Sequence, residues 1–275
     1  MRARWFLSFA FLVACSSSPA PVDPGVDSGT DTSTPFDAGS DAVVPSDASV
    51  ADAGNIDDIL GTFGQGSTCP LVSPDLPVPT PSLREDSLVF NVSEKYERAS
   101  FSLGGQIMWD TPNAGGSSIE SEIMSFEILH FCEGATLLHT ETEILYAPPD
   151  DSGANTITDL EVEIGGKKVG VSVTRAFKPK PLVLTDLDVQ TLLEKKLEGV
   201  IRSSQRVLPA DKWVKQILHV FVQDKDGHDA VVRVWNNVIS PTLKADTIVL
   251  VTQTTGGGFI YCNPDPPLGT ECPPI

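Results

Sequence analysis

Two histidines and two glutamates near the middle of the chain have side chains that could bind a metal ion. His130 and His139 flank the turn-like stretch "CEGAT", and Glu141 and Glu143 follow His139 closely. Imidazole nitrogens and a carboxylate oxygen make up two-histidine, one-carboxylate metal sites. The pattern does not define the register of the two predicted strands, and a slip of one residue would place the histidines on opposite faces. We therefore interpret them as histidines on the wet face of a sheet and expect no cofactor, with a metal site as the alternative.

Two acidic stretches offer oxygen ligands for calcium. They are "DKDGHD", with Asp224, Asp226 and Asp229, and "PPDDSGAN", with Asp150, Asp151 and Asn155. Neither has the ligand spacing and the late glutamate of an EF-hand loop. Asp-x-Asp-Gly is also common at the tip of a hairpin. We predict that both stretches are turns, with Gly227 in the left-handed position of a bulged hairpin over 215–237, and the three aspartates 224, 226 and 229 remain weak metal candidates.

The sequence contains no familiar catalytic motif: no Gly-x-Ser-x-Gly, no His-Glu-x-x-His, no P-loop and no Gly-x-Gly-x-x-Gly opening a helix. Trp109, Trp213 and Trp235 could stack on sugar rings if they lie on a sheet face, although tryptophans in such folds more often pack in the core. A binding or structural module is thus favoured over an enzyme. The alternatives are a carbohydrate-binding module and a hydrolase whose site is assembled from residues distant in sequence.

The body contains four cysteines, Cys69, Cys132, Cys262 and Cys272. An even number in an exported protein indicates two disulfides, although four cysteines allow three pairings. We favour Cys262–Cys272, which enclose a loop rich in proline, together with Cys69–Cys132, and the other pairings stay open.

The first twenty residues, "MRARWFLSFAFLVACSSSPA", have the layout of an export signal. Arg2 and Arg4 precede ten uncharged residues, 5–14, and then Cys15. Such an apolar run is too short to span a bilayer, which takes about 20 residues. The tetrapeptide Leu-Val-Ala-Cys ending at Cys15 resembles the lipobox of bacterial lipoproteins, and this resemblance covers residues 1–20 only. It implies that the Cys15 thiol receives a diacylglyceryl group, that residues 1–14 are removed, and that Ser16 directs the protein to the outer membrane.

Composition divides the rest of the chain into a tether and a body. Residues 15–54 are rich in Ser, Pro, Ala and Asp and contain no Lys or Arg, so we expect a disordered acidic tether after the lipidated cysteine. Residues 55–275 form the globular body, with a possible division into two subdomains near 178–185. The net charge of −18 argues against nucleic acid as a partner, because phosphates are bound by Lys and Arg.

The body is predicted to be mainly β. Strands are predicted at 87–93, 99–109, 122–132, 136–147 and 157–177, and in a second hairpin at 215–237. The alternation in "LEVEIGGKKVGVSV" is typical of a hairpin that turns at Gly165-Gly166. Apolar residues of "DLDVQTLLEKKLEGVI" (186–201) lie on one helical stripe. These features predict an antiparallel β-sandwich-like domain with one amphipathic helix, or an α+β domain as the alternative.

Together these inferences describe a lipid-anchored protein of the cell envelope that presents a disulfide-braced binding or structural module. Its expected partners are the membrane, through the covalent lipid, and a glycan or another envelope protein.

The lipobox interpretation is tested by Cys15→Ser. Without the thiol neither the thioether nor the lipoprotein cut can form, so the variant should remain an unprocessed precursor without lipid. Envelope fractionation and mass spectrometry measure both properties, and Ser18→Ala serves as the matched control that should be processed normally. Normal size and membrane attachment of Cys15→Ser would overturn the interpretation.

Overall fold

A mixed β-sheet of seven strands lies at the centre of the fold in a computed structural model of the chain. The structure describes residues 63–66, 69–91, 96–112, 119–149 and 156–261. The predicted signal peptide, the predicted tether, residues 150–155 and the predicted Cys262–Cys272 bridge lie outside these residues. Among the residues that are described, no helix is both long and apolar enough to cross a membrane.

The strands run in the spatial order β1-β2-β7-β6-β5-β4-β3. The four strands β2, β7, β6 and β5 are parallel to one another, while β1, β4 and β3 pair antiparallel at the two sides. Their bounds are β1 Gly64–Gly66, β2 Ser82–Phe90, β3 Thr136–Thr140, β4 Leu160–Ile164, β5 Lys167–Ala176, β6 Lys215–Val222 and β7 Ile248–Thr255.

Helices cover both faces of the sheet and make a three-layer α/β architecture. Residues of α1 and α2 belong to the apolar core on one face, and residues of α3 and α4 belong to the core on the other. The helices of the described chain are α1 Leu103–Asp110, α2 Ile119–Glu133, α3 Asp186–Arg206, α4 Lys225–Asn237 and the short α5 Pro241–Lys244.

The predicted antiparallel β-sandwich is therefore wrong, and so is the hairpin at 215–237. Its first half is strand β6, but its second half is helix α4. Asp224, which follows the strand, caps this helix, because its Oδ1 accepts a hydrogen bond from the Gly227 amide at 2.8 Å. All eight residues of β6 are buried. The error lies in the second half, because the apolar residues 230, 232 and 234 alternate as in a strand. The same run also supplies the buried stripe of α4, Ala230, Val231, Val234 and Trp235.

The segments at 99–109 and 122–132 are also helical rather than extended. In α2 every residue from Ser121 to Leu129 is buried, so the helix lacks the polar face that reveals a helix in sequence. In α1, Gly104 and Gly105 let the helix approach α2 closely. A Cβ at Gly104 would lie 2.2 Å from the Phe126 ring. These glycines are required by close packing, and they do not mark a turn.

Two local predictions are confirmed. The β4–β5 hairpin turns at Gly165 and Gly166, whose φ angles are 56° and 73°. The amphipathic helix predicted at 186–201 is α3, which runs to Arg206 and starts with a capping box between Thr185 and Asp188. Both rest on short-range patterns, a positive-φ turn and a single apolar stripe, which distant parts of the chain do not alter.

A disulfide joins Cys69 to Cys132 at the end of α2, which is one bridge of the favoured pairing. The neighbouring Glu133 carboxylate accepts hydrogen bonds from the amides of Val72, at 2.8 Å, and Ser73, at 3.0 Å. Further along the same segment the buried ammonium of Lys215 donates to the carbonyl oxygens of residues 75, 78 and 80. The 69–81 segment is thus fastened to both α2 and β6.

A chain of buried polar side chains crosses the sheet at His219. The His219 ring nitrogens lie 2.8 Å from Ser125 Oγ on α2 and 2.8 Å from Thr252 Oγ1 on β7. Thr252 Oγ1 in turn donates to Asp86 Oδ2 at 3.2 Å. Burial lowers the pKa of His219 to about 3, so the imidazole is neutral in the folded protein.

This depressed pKa makes stability depend on pH. The unfolded chain, with a His pKa of about 6.5, takes up the proton first as pH falls, so the stabilisation is complete above that value and is lost between about pH 6.5 and 3. From pH 7 to pH 5 this one group should lower the free energy of unfolding by about 2 kcal/mol. Urea titrations of the wild type and His219→Gln measure the difference between their pH profiles. Parallel profiles would contradict the assignment.

Candidate metal centre

The pairing of β3 with β4 places His139 directly opposite Glu161. The register shifts between Leu137 and His139, so an extra residue enters β3 at this point. Such a bulge changes the direction of the side chains beyond it. The His139 side chain consequently lies beside the Glu161 carboxylate, with 2.7 Å between Nδ1 and Oε2.

Asp211 reaches the same place from a different part of the chain. It ends the short turn Pro209–Asp211 that follows α3. The turn is held against the segment after β3, because the Leu208 amide donates to the Leu145 carbonyl at 2.9 Å and the Leu145 amide donates to Asp211 Oδ2 at 2.8 Å. The other oxygen, Oδ1, lies 3.9 Å from His139 Nδ1.

His139, Glu161 and Asp211 thus offer three ligand atoms that all lie within 4.8 Å of one another. We name this set the His-Glu-Asp cluster. The Glu161 side chain is completely buried, Asp211 is nearly so, and the His139 ring is about one third exposed. The arrangement therefore combines two buried anions with an imidazole that opens toward solvent.

Lys168 supplies a compensating charge. Its ammonium lies 3.3 Å from Glu161 Oε1 and donates to the Ala210 carbonyl at 2.8 Å. A buried carboxylate is costly unless it is paired. The Glu161 carboxylate is accordingly flanked by Lys168 on one oxygen and by His139 on the other.

A small apolar cluster adjoins these residues. It consists of Ile144, Val207 and Trp213, with Tyr146 against it. Trp213 fits because the facing position on β5 is Gly170, where a Cβ would lie 2.9 Å from the indole ring. Gly170 is also the β5 residue that pairs with Glu161. The missing side chain at Gly170 therefore lets an apolar ring come close to the buried carboxylate.

Of the four residues that the sequence suggested, only His139 belongs to the His-Glu-Asp cluster, although Glu143 lies near enough to His139 for their charges to interact. His130 is on α2, where its Nδ1 lies 2.8 Å from the Ala135 carbonyl oxygen, and Glu143 accepts hydrogen bonds from Thr140. His139 is joined instead by Glu161 and Asp211, which lie 22 and 72 positions further along the chain. The alternation of residues 160–164 puts Glu161 on the polar face with Glu163, so the sequence gives no signal that Glu161 is buried.

The aspartates of "DKDGHD" belong to the start of α4, with Asp226 in its first turn, rather than to a hairpin tip. Asp224 is the N-cap, and Asp229 binds the ammonium of Lys225 at 2.5 Å. Carboxylates are favourable at a helix N-terminus because they satisfy free amides and complement the helix dipole. Asp224 and Asp229 therefore have partners within the start of the helix. Asp150, Asp151 and Asn155 lie outside the described residues.

Trp213 and Trp235, two of the three predicted sugar-stacking tryptophans, are buried, and Trp109 is half-buried. Trp213 and Trp235 are 5% and 4% exposed. The half-buried Trp109 packs against Phe101, with 5.7 Å between ring centres. All three rings contribute to packing, as large aromatic side chains commonly do.

A second acidic group lines a small cavity between α1, α2 and the ends of β3 and β4. Glu122, Glu141 and Asp159 are part of its wall. The pKa of Asp159 is raised by burial, although the nearby Lys196 ammonium and the Val173 amide oppose this. The cavity has a volume of about 10 Å³, which is room for a single water. It is too small for an organic ligand.

Comparison with known proteins does not assign the chain to a family. No family model matches the chain. It is 41% identical over 165 residues to the AAC-rich mRNA clone AAC4 protein of Dictyostelium discoideum, a match that covers 58% of this chain and 23% of that protein. The chain thus spans about a quarter of the length of that relative. A structure of SfsA from Pyrococcus furiosus in complex with Ca²⁺ aligns over 50% of this chain and 56% of its own, at 11% identity and a TM-score of 0.26, which carries no argument.

The buried position of Glu161 predicts a large difference between two neighbouring glutamates. Glu161→Gln removes the negative charge between Lys168 and His139 and should lower the free energy of unfolding by about 1–3 kcal/mol. Glu163→Gln, two residues away and exposed, should change it by less than about 0.5 kcal/mol. Denaturant unfolding in the presence of chelator measures both. Equal effects would contradict the described burial.

Proposed function

We propose that the folded body is a divalent-metal-binding module and that the His-Glu-Asp cluster binds the ion. The observation that carries the proposal is the convergence of one imidazole nitrogen and two carboxylate oxygens within 4.8 Å. These side chains come from two strands and from a turn distant in sequence. Transition-metal ions such as Zn²⁺ are bound by this mixture of nitrogen and oxygen ligands.

The distances suit an ion after small adjustments. Metal–ligand bonds of about 2.0–2.2 Å at tetrahedral angles separate neighbouring ligand atoms by about 3.3 Å. The separations from His139 Nδ1 are 2.7 Å to Glu161 and 3.9 Å to Asp211. All three ligand atoms lie within 4.8 Å of one another, so binding requires shifts of about 1–2 Å, with the imidazole nitrogen that binds the ion free of a proton.

Lys168 is the side chain that an ion would displace. Its ammonium neutralises Glu161, but it is about one third exposed and can turn toward water. A cation on a long side chain is repelled by a dication a few ångströms away. We therefore infer that the lysine holds the buried carboxylate in the metal-free protein and competes with the metal.

Three protein ligands leave a coordination position that water can occupy, as in catalytic zinc sites. The exposed side of the His139 ring supplies access from solvent. Metal-dependent hydrolysis, the enzymatic alternative, is for this reason the second candidate function.

We further propose that the module is attached to the bacterial envelope through lipid on Cys15. The support is the sequence alone, namely the two arginines, the ten uncharged residues and the Leu-Val-Ala-Cys tetrapeptide. Two or three acyl chains anchor a protein far more firmly than one, because each buried methylene contributes about 0.8 kcal/mol. Ser16, the residue that follows the cysteine, supports a position at the outer membrane, which the lipobox resemblance implies.

The metal proposal predicts a zinc response that depends on His139. After treatment with chelator, wild-type protein should bind one Zn²⁺ per chain in a calorimetric titration, and zinc at 100 times its Kd should stabilise the fold by about 2.7 kcal/mol. His139→Ala should abolish this stabilisation, because an imidazole ligand is lost.

Two further sets of variants distinguish a metal site from a cluster of ion pairs that only stabilises the fold. His130→Ala should keep the zinc response, since His130 is not in the cluster. Lys168→Ala should bind zinc about tenfold more tightly, while Lys167→Ala should not. A zinc response that survives His139→Ala, or no response in the wild type, would refute the proposal.

A further inference from the structure

An exposed apolar segment lies between β5 and α3. Leu182, Val183 and Leu187 are 60%, 76% and 70% exposed, although they occur within six residues. We name residues 179–187 the apolar loop. Single exposed apolar side chains are common on protein surfaces, but neighbouring ones mark surfaces that contact something else.

The loop is held in shape while its apolar side chains point outward. The Leu182 amide donates to the Pro179 carbonyl at 3.0 Å, and Leu184 packs against the core beneath α3 and α4. Thr185 caps α3 through Asp188. The loop is therefore a fixed projection, so little conformational entropy is lost when it enters an apolar surface.

Two of the carboxylates next to the loop are paired with cations, while Asp226 on α4 lines the same cavity as Lys180 and Val183. Asp186 is paired with Arg233 at 2.5 Å, and Asp188 is paired with Lys178 at 2.7 Å. Lys180, inside the loop, is exposed and makes no ion pair with the residues that the structure describes. An otherwise acidic protein thus presents at this point apolar side chains beside an available cation, the combination that suits lipid tails and phosphate headgroups.

We infer that the apolar loop inserts into the surface of a phospholipid bilayer and orients the body on the membrane. This inference rests on the lipid-anchor part of the proposed function, because the sequence places the body a short segment away from a lipidated cysteine. The 39 residues from 16 to 54 span at most about 130 Å when extended, so the bilayer is always within reach. Leu182 and Val183 would enter the headgroup–acyl boundary, with Lys180 at the phosphates.

Tryptophan quenching by brominated phospholipids tests the insertion. Full-length lipidated protein carrying Val183→Trp is reconstituted into phosphatidylcholine–phosphatidylglycerol vesicles with and without brominated acyl chains. Bromine should reduce the additional emission of this tryptophan about twofold, since bromine quenches only indoles that reach the acyl region. Val238→Trp, at another exposed position near the end of α4, should be unaffected.

The same two reporters in a chain that begins at Ser16, without signal peptide or lipid, are added to vesicles at saturating lipid concentration and separate the loop from the anchor. If wild-type protein does not float with the vesicles in a density gradient, the lipid anchor is rejected. Quenching at position 183 but not at 238 in the unlipidated chain would then still support insertion of the loop. Equal quenching at both positions, or no quenching at position 183 in either background, would overturn the inference. The latter result is also the one expected if the loop contacts a second copy of the chain.

Discussion

Complete burial of strand β6 is the constraint on which the rest of the fold depends. A central strand without exposed residues needs a strand on each side for its backbone groups and apolar cover on both faces. Strands β5 and β7 satisfy the first requirement, and the helix layers satisfy the second. The polar side chains of β6 are also given partners. Lys215 donates to three carbonyl oxygens, and His219 lies between hydroxyl groups of α2 and β7.

The route by which the chain enters β6 also builds the candidate metal centre. Asp211, Trp213 and Lys215 lie at alternate positions between α3 and the buried strand, and each is fixed by a different contact. Asp211 binds the segment after β3, Trp213 covers Gly170, and Lys215 fastens the 69–81 segment. Because these contacts stabilise the fold, the cluster is positioned before any ion binds, which reduces the free-energy cost of organising the ligands.

The charges of the protein are arranged differently at the two proposed functional surfaces. At the His-Glu-Asp cluster, negative charge is concentrated and only partly compensated, by a lysine that can move away. At the apolar loop, two of the neighbouring carboxylates, Asp186 and Asp188, are paired with Arg233 and Lys178. The uncompensated charge of the cluster attracts a cation. Pairing of the carboxylates at the loop lowers the electrostatic free-energy cost of approaching a lipid surface. In a lipid-anchored protein, insertion of the apolar loop would hold the His-Glu-Asp cluster in a defined orientation relative to the membrane.

Sequence by itself determined the features that depend on neighbouring residues. It identified the β4–β5 hairpin from a Gly-Gly turn between alternating apolar residues, and α3 from its apolar stripe. It also favoured Cys69–Cys132 from the small number of possible pairings. The lipobox resemblance, which is equally local, stays a prediction. Only the tertiary structure decided that 119–133 and 225–237 are helices rather than strands. In α2, burial of residues 121–129 removes the periodic polar face that distinguishes a helix. The tertiary structure alone joined His139 to Glu161 and Asp211, because strand register, a bulge and a turn distant in sequence set those distances, and none of these leaves a periodic signal in the chain.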